Sequence, residues 1–154
     1  PQFVGAPGLA SPQLYGERYV AAVRKGHPLA KSKVTAAAFC RFDHILVSPT
    51  GGGFHGPVDD ALARLKMKRR VALSVPSFLV VPDLLRTCNW IAVLPERLLR
   101  AHAQGLHVFD PPVAVPAFDV IAVWHKRFQD EPAHRWLRGL LAEVARPARG
   151  GLRV

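Results

Sequence analysis

The chain has 154 residues, 49% hydrophobic and 21% charged, with 21 Lys and Arg against 11 Asp and Glu. That length supports a packed core in one domain or two small lobes, and the composition excludes wholesale disorder. No apolar run approaches the roughly 18 residues of a membrane span, two cysteines make no disulfide framework, and the net charge of +10 admits an anionic partner.

Residues 1–12 carry three prolines and two glycines and read as an irregular opening segment. Leu14 to Arg24 is rich in Tyr, Val and Leu and predicts a strand, which Gly26-His27-Pro28 ends. Thr35 is a fitting N-cap for a short helix over Ala36 to Arg41, and Asp43 to Val47 predicts a buried strand. Ser48 to Pro57 is a loop by composition. Pro57 then opens a helix whose Val58, Ala61, Leu62 and Leu65 recur at i, i+3, i+4, i+7. Lys66, Lys68, Arg69 and Arg70 follow, beginning in the last turn, where cations complement the helix dipole.

Arg70 to Val75 predicts the next strand, Ser77 caps a helix over Phe78 to Arg86, and Trp90 to Leu94 predicts another strand. A helix from Pro95 to about His102 is broken by Gly105. His107 to Asp110 and Ala117 to Trp124 predict two more strands. Asp130 caps a final helix over Glu131 to Val144, on which Trp136, Leu137, Leu140, Leu141 and Val144 form a stripe expected to face the core. Alternation of strands and amphipathic helices implies an α/β fold with a largely parallel sheet. The tail 147–154 is Gly- and Arg-rich and is expected to fray.

Gly51, Gly53 and Gly56 fit G-x-G-x-x-G after a strand and before a helix. Pro49 intrudes after that strand, and the next strand ends in Val75-Pro76-Ser77 with no acid to take a ribose hydroxyl, so a dinucleotide is not expected. The seven histidines show no metal-ligand spacing, and no nucleophile elbow or carboxylate pair stands out, so no cofactor and no catalysis are expected. What does stand out is polar residues just past strands. Ser48, Thr50, Ser77 and Phe78 fall where open α/β sheets hold ligands, although Ser48 and Thr50 equally suit a turn and Ser77 a simple cap. His125 follows Trp124 at a strand end and suits either a cleft wall or the surface.

Three strings together resemble the effector-binding domain of LysR-type transcriptional regulators. They are Glu17-Arg18-Tyr19-Val20 leading to Arg24-Lys25-Gly26-His27-Pro28-Leu29, Val75-Pro76-Ser77-Phe78 followed by Ile91-Ala92-Val93-Leu94-Pro95-Glu96-Arg97, and Trp124-His125 followed by Pro132 and Arg135-Trp136-Leu137-Arg138. The Ser77-Phe78-Leu79 and Ile91 to Arg97 segments look most like the branch that senses flavonoids and aromatic acids. The resemblance implies a type 2 periplasmic-binding-protein-like fold. One lobe, 25–116, would be complete, and a partial lobe would comprise 1–24 and 117–146 with the crossing strands. Sheets would be mixed and mainly parallel.

Carried onto this chain, the effector would meet Ser48, Pro49 and Thr50 after one strand and Ser77 and Phe78 after the next, with His125 on the hinge side. A helix N-terminus and apolar walls suit a small aromatic carboxylate or phenol. The winged helix that reads DNA in the family has no counterpart in this sequence, so DNA would be met only through another part of a longer chain, as a start on Pro1 suggests. Asn89 stands where many relatives carry an acid. The expectation is therefore an effector-sensing module of a cytoplasmic, homo-oligomeric bacterial regulator, with no membrane partner. Two rivals are a periplasmic-type solute-binding fragment and a basic nucleic-acid-binding module using Lys66 to Arg70 and the Arg-rich tail.

Overall fold

The computed structural model describes residues 6–31, 33–49 and 51–146. They fall into two compact units, one of residues 6–17 and 117–146 and one of 18–116.

The larger unit is built on a five-stranded sheet in the order β5-β4-β6-β3-β7. Its strands are β3 (Tyr19–Arg24), β4 (Asp43–Val47), β5 (Arg70–Val75), β6 (Ile91–Pro95) and β7 (Leu106–Phe109). β4 runs parallel to β5 and β6, whereas β3 pairs antiparallel with both β6 and β7. The parallel pairing expected from strand–helix alternation thus holds for β5-β4-β6. It stops at β3, which is reached before any crossover helix has been made.

Side chains of β3 and β6 alternate between two cores, as a sheet covered on both faces requires. Val20, Ala22, Ala92 and Leu94 face α3 (Val81–Thr87) and α4 (Glu96–His102), packing on Val81, Leu85 and Leu99. Ala21, Val23 and Ile91 face α1 (Ala36–Cys40) and α2 (Pro57–Arg64), packing on Phe39, Val58, Ala61 and Leu62. Alanines in β3 and β6 leave room for these bulkier helix residues.

Helix boundaries follow local chemistry. Thr35 caps α1 by accepting from the Ala38 N–H. Pro57 sits at the start of α2, where its missing N–H is harmless. α2 ends one residue earlier than the spacing predicts: Leu65 is exposed, Lys66 takes the left-handed φ of 56°, and Met67 N–H closes onto the Leu62 carbonyl. The expected helix from Phe78 begins instead as a 3-10 turn, Phe78–Val80, that runs into α3.

The smaller unit differs more from expectation. The long strand predicted over Leu14 to Arg24 is two strands, β2 (Gln13–Glu17) and β3, belonging to different units. Tyr19–Arg24 is an inner strand of the larger unit's sheet, flanked by β6 and β7, so the unit boundary falls after Glu17 rather than after Arg24. Ala117 to Trp124 likewise divides into β8 (Phe118–Ile121), antiparallel to β2, and β9 (Trp124–His125), antiparallel to β1 (Leu9–Ala10).

The final helix, α5 (Pro132–Ala145), is preceded by Glu131 rather than Asp130 at its N-cap position. Its apolar stripe does not face a core: Trp136, Leu137, Leu140, Leu141 and Val144 are all exposed, Trp136 by 69% and Val144 by 74%. Spacing alone marks an apolar face. It does not say whether the surface that would cover it is on hand. The helix is held in part by Arg138, which stacks on Trp124 at 4.7 Å and donates to the carbonyls of Phe128 and Gln129, and in part by His134, which stacks on Phe128. No described helix is long and apolar enough to cross a membrane. The tail 147–154 lies outside the described residues.

Candidate functional site

The parallel register of β4 and β5 pairs Val47 with Val75, so both strands end at one edge of the sheet. Ser48 extends the ladder by donating its N–H to the Val75 carbonyl at 2.9 Å. The chain then turns, Gly51 N–H returning to the Ser48 carbonyl, while Gly51 and Gly52 take left-handed φ values of 79° and 73°. Ser74 Oγ donates to the Gly53 carbonyl at 2.8 Å and ties this loop to β5. Gly53 passes so near the site that a Cβ there would sit 3.0 Å from Ser48 Oγ. The glycines that suggested a nucleotide fingerprint therefore serve a tight return into α2.

On the adjacent strand end, Ser77 Oγ accepts from Leu79 N–H at 3.2 Å. Phe78, half-buried, lines a cavity of about 50 Å³ with Tyr19, Val47, Pro57, Arg69 and Val115. Such a space holds a few waters or the head of a small ligand, well below the several hundred Å³ of a whole effector site.

Beneath the loop lies a buried polar network. Asp59 in the first turn of α2 accepts from Gly56 N–H and from Nε and Nη2 of Arg69, each at 2.8 Å. Arg69 is a member of the basic cluster, yet its side chain is 1% exposed. Its Nη1 lies 3.4 Å from Nδ1 of His44, whose Nε2 faces the Phe39 carbonyl at 3.0 Å. A carbonyl can only accept and a guanidinium can only donate. The proton of His44 is therefore on Nε2 and Nδ1 is the acceptor. Burial and then the Arg69 charge push the imidazole down to about 4. Burial alone would raise the Asp59 carboxyl, but the Arg69 hydrogen bonds and charge outweigh it and hold it below its ordinary value.

The structure thus brings Ser48, Pro49, Ser77 and Phe78 to one sheet edge. Thr50 lies outside the described residues. His125 is in the smaller unit, exposed at the end of β9, where its Nδ1 accepts from Arg127 N–H at 3.1 Å and its ring lies over Gly8. Sequence reasoning missed Tyr19, Arg69 and Val115 on the cavity wall. Arg69 was hidden inside a run of cations that reads as one solvated patch. That patch is divided: Arg69 is buried on Asp59 and Arg70 pairs with Asp43, leaving Lys66 and Lys68 exposed. Among the described residues no His, Cys, Asp and Glu cluster could hold a metal, and Cys40 and Cys88 are free thiols.

Comparison with known proteins gives this arrangement its context. Residues 2–146 match the family described as the LysR substrate binding domain. The chain is 34% identical over 139 residues to the HTH-type transcriptional activator NagR of a Ralstonia species, covering 89% of this chain and 46% of that protein. It is 37% identical over 140 residues to the HTH-type transcriptional regulator LinR of Sphingobium indicum, again covering 89% and 46%. The chain therefore spans about half the length of these relatives. The regulatory domain of MexT, a transcriptional activator of Pseudomonas aeruginosa, superposes with a TM-score of 0.76 at 28% identity, over 89% of this chain and 68% of that one. The chain belongs to the LysR substrate binding domain family, the effector-binding regulatory part of LysR-type transcriptional regulators.

Proposed function

We propose that this chain senses a small aromatic carboxylate or phenol on behalf of a homo-oligomeric, cytoplasmic regulator, without catalysing a reaction on it. On the larger unit, Ser48 and Pro49 with Thr50 are one group of effector contacts, and Ser77 and Phe78 the second. In this reading residues 25–116 belong to one lobe of the sensor, and the smaller unit belongs to the other.

The observation that carries the reading is the Val47–Val75 register, which sets two serines and one aromatic ring at neighbouring parallel strand ends. The Phe78 ring offers a stacking face and the serines offer short, directional hydrogen bonds. A ligand bound there moves a two-state regulator only as far as its affinities for the two states differ.

Calorimetric titration of a regulator carrying this domain with a panel of benzoates, salicylates and phenols tests the reading. Saturable heat that Phe78→Ala removes is the expected result. A panel without heat or thermal stabilisation overturns it.

A further inference from the structure

Two of the strings that mark the resemblance meet in space at Arg18 and Glu96. The β3–β6 register sets Tyr19 opposite Pro95, so Arg18 and Glu96 become neighbours. Glu96 N–H donates to the Arg18 carbonyl at 2.9 Å. In return the Arg18 guanidinium grips the Glu96 carboxylate with Nε at 3.1 Å and Nη2 at 2.9 Å. Its remaining arm, Nη1, reaches Asp110 Oδ1 at 2.6 Å. Arg100 adds a second cation to Glu96 at 3.2 Å.

The position of this cluster matters more than its energy. The chain leaves one compact unit for the other at Glu17-Arg18 and returns at Pro116-Ala117. Arg18 is the first residue of the larger unit. Asp110 opens the return segment 110–116, whose Pro111, Pro112 and Pro116 keep it stiff and whose Val113 is buried in the core. One planar fork therefore holds the outgoing crossing, the start of α4 and the beginning of the return crossing at a single point. A lysine at this position has one point charge and cannot span both carboxylates.

We propose that Arg18 is a positioning residue that ties the two chain crossings together, so that the start of β3 and the return segment 110–116 stay fixed as one body with the larger unit. This rests on the effector-sensing reading only for its regulatory meaning; the mechanical claim stands by itself. Exposed ion pairs taken singly are worth little, so the expected effect is local loosening and not unfolding.

Amide hydrogen exchange on the 154-residue chain decides the matter. In Arg18→Met, exchange is expected to quicken about tenfold or more at Tyr19 and, together with it, at Asp110, Val113 and Ala114. Ala21 to Val23 and Ile91 should keep their protection. Arg18→Lys should loosen residues 110–114 as much as Asp110→Asn does. Unchanged exchange over 110–114 in Arg18→Met overturns the proposal, and so does uniform quickening across the sheet. In a regulator carrying this domain, Arg18→Met should leave effector Kd within about twofold and weaken the transcriptional response at least fivefold. A wild type that binds no effector would sink the sensing reading and leave the exchange experiment to decide on Arg18.

Discussion

Asp59 takes both ends of the Arg69 fork, Nε to Oδ1 and Nη2 to Oδ2 at 2.8 Å each, within a segment whose sequence reads as a solvated basic run. The pair is asymmetric, because the arginine side chain is 1% exposed and the aspartate 16%. Removing the anion leaves a buried cation without compensation. Asp59→Asn is therefore expected to cost ~3–5 kcal/mol of folding stability. Arg69→Met should cost less, since the freed carboxylate sits nearer water. The double replacement Asp59→Asn with Arg69→Met should be far less harmful than the sum of the single changes. Urea unfolding of the four proteins measures all three statements, and simple additivity would refute them.

The same network makes the fold acid-sensitive through His44. Its imidazole is pushed down to about 4 by burial first and the Arg69 charge second, against about 6.5 in an unfolded chain. Between these values the unfolded state binds the proton and the folded state does not. Stability from this group is thus complete above pH 6.5 and is lost as pH falls towards 4, by about 3 kcal/mol in all. Asp59 and Asp43 face the ring with opposite charge and moderate the shift. His27, also buried and also lowered, acts in the same direction. Urea midpoints should change little from pH 7.5 to 6.5 and then fall towards pH 4.5, less steeply in His44→Gln. Midpoints that do not move over this range would contradict the buried neutral ring.

How much of this could be read beforehand depended on whether the deciding contacts were local. Thr35 and Pro57 announce their helices because a cap and an N-terminal proline act within one turn. Ser48 and Ser77 could be put side by side because parallel strands joined by a crossover helix end at the same edge. The break at Arg18 was not legible. Gln13–Glu17 and Tyr19–Arg24 are both good strand sequences, and only pairing with β8 on one side and with β6 and β7 on the other separates them. Arg69 was hidden for a similar reason, as its partner lies ten residues away on another element.

Gly53 offers a test of the site that does not touch the ligand directly. A Cβ there would stand 3.0 Å from Ser48 Oγ, close enough to force that hydroxyl to another rotamer but not to displace backbone. Gly53→Ala is therefore expected to change stability by less than about 1 kcal/mol. If Ser48 contacts the effector, the same change should weaken effector affinity about tenfold, equivalent to ~1.4 kcal/mol. In a Ser48→Ala background the added methyl meets no hydroxyl, and Gly53→Ala should then have little further effect on affinity. Calorimetry on the four combinations reads out this coupling, and an undiminished effect of Gly53→Ala in the Ser48→Ala background would remove Ser48 from the site.

The exposed face of α5 sets an expectation for the isolated 154-residue chain. Leu137, Leu140, Leu141 and Val144, with Trp136 beside them, follow a helix–helix seam, and Gly139 has open space around it. Their uncovered area is on the order of 500 Å² a side, so two copies facing each other would bury about the 1,000 Å² at which a specific interface becomes credible. An antiparallel arrangement also sets the Arg135 end of one helix towards the Glu143 end of the other. Light scattering should show association that grows with concentration, accompanied by a blue shift of tryptophan emission as Trp136 leaves water. Leu140→Lys and Val144→Glu place charge within the seam and should restore a monomer without loss of secondary structure, because neither residue is buried in the single chain. A wild type that stays monomeric at several hundred micromolar would mean that the stripe is too narrow to hold two copies together.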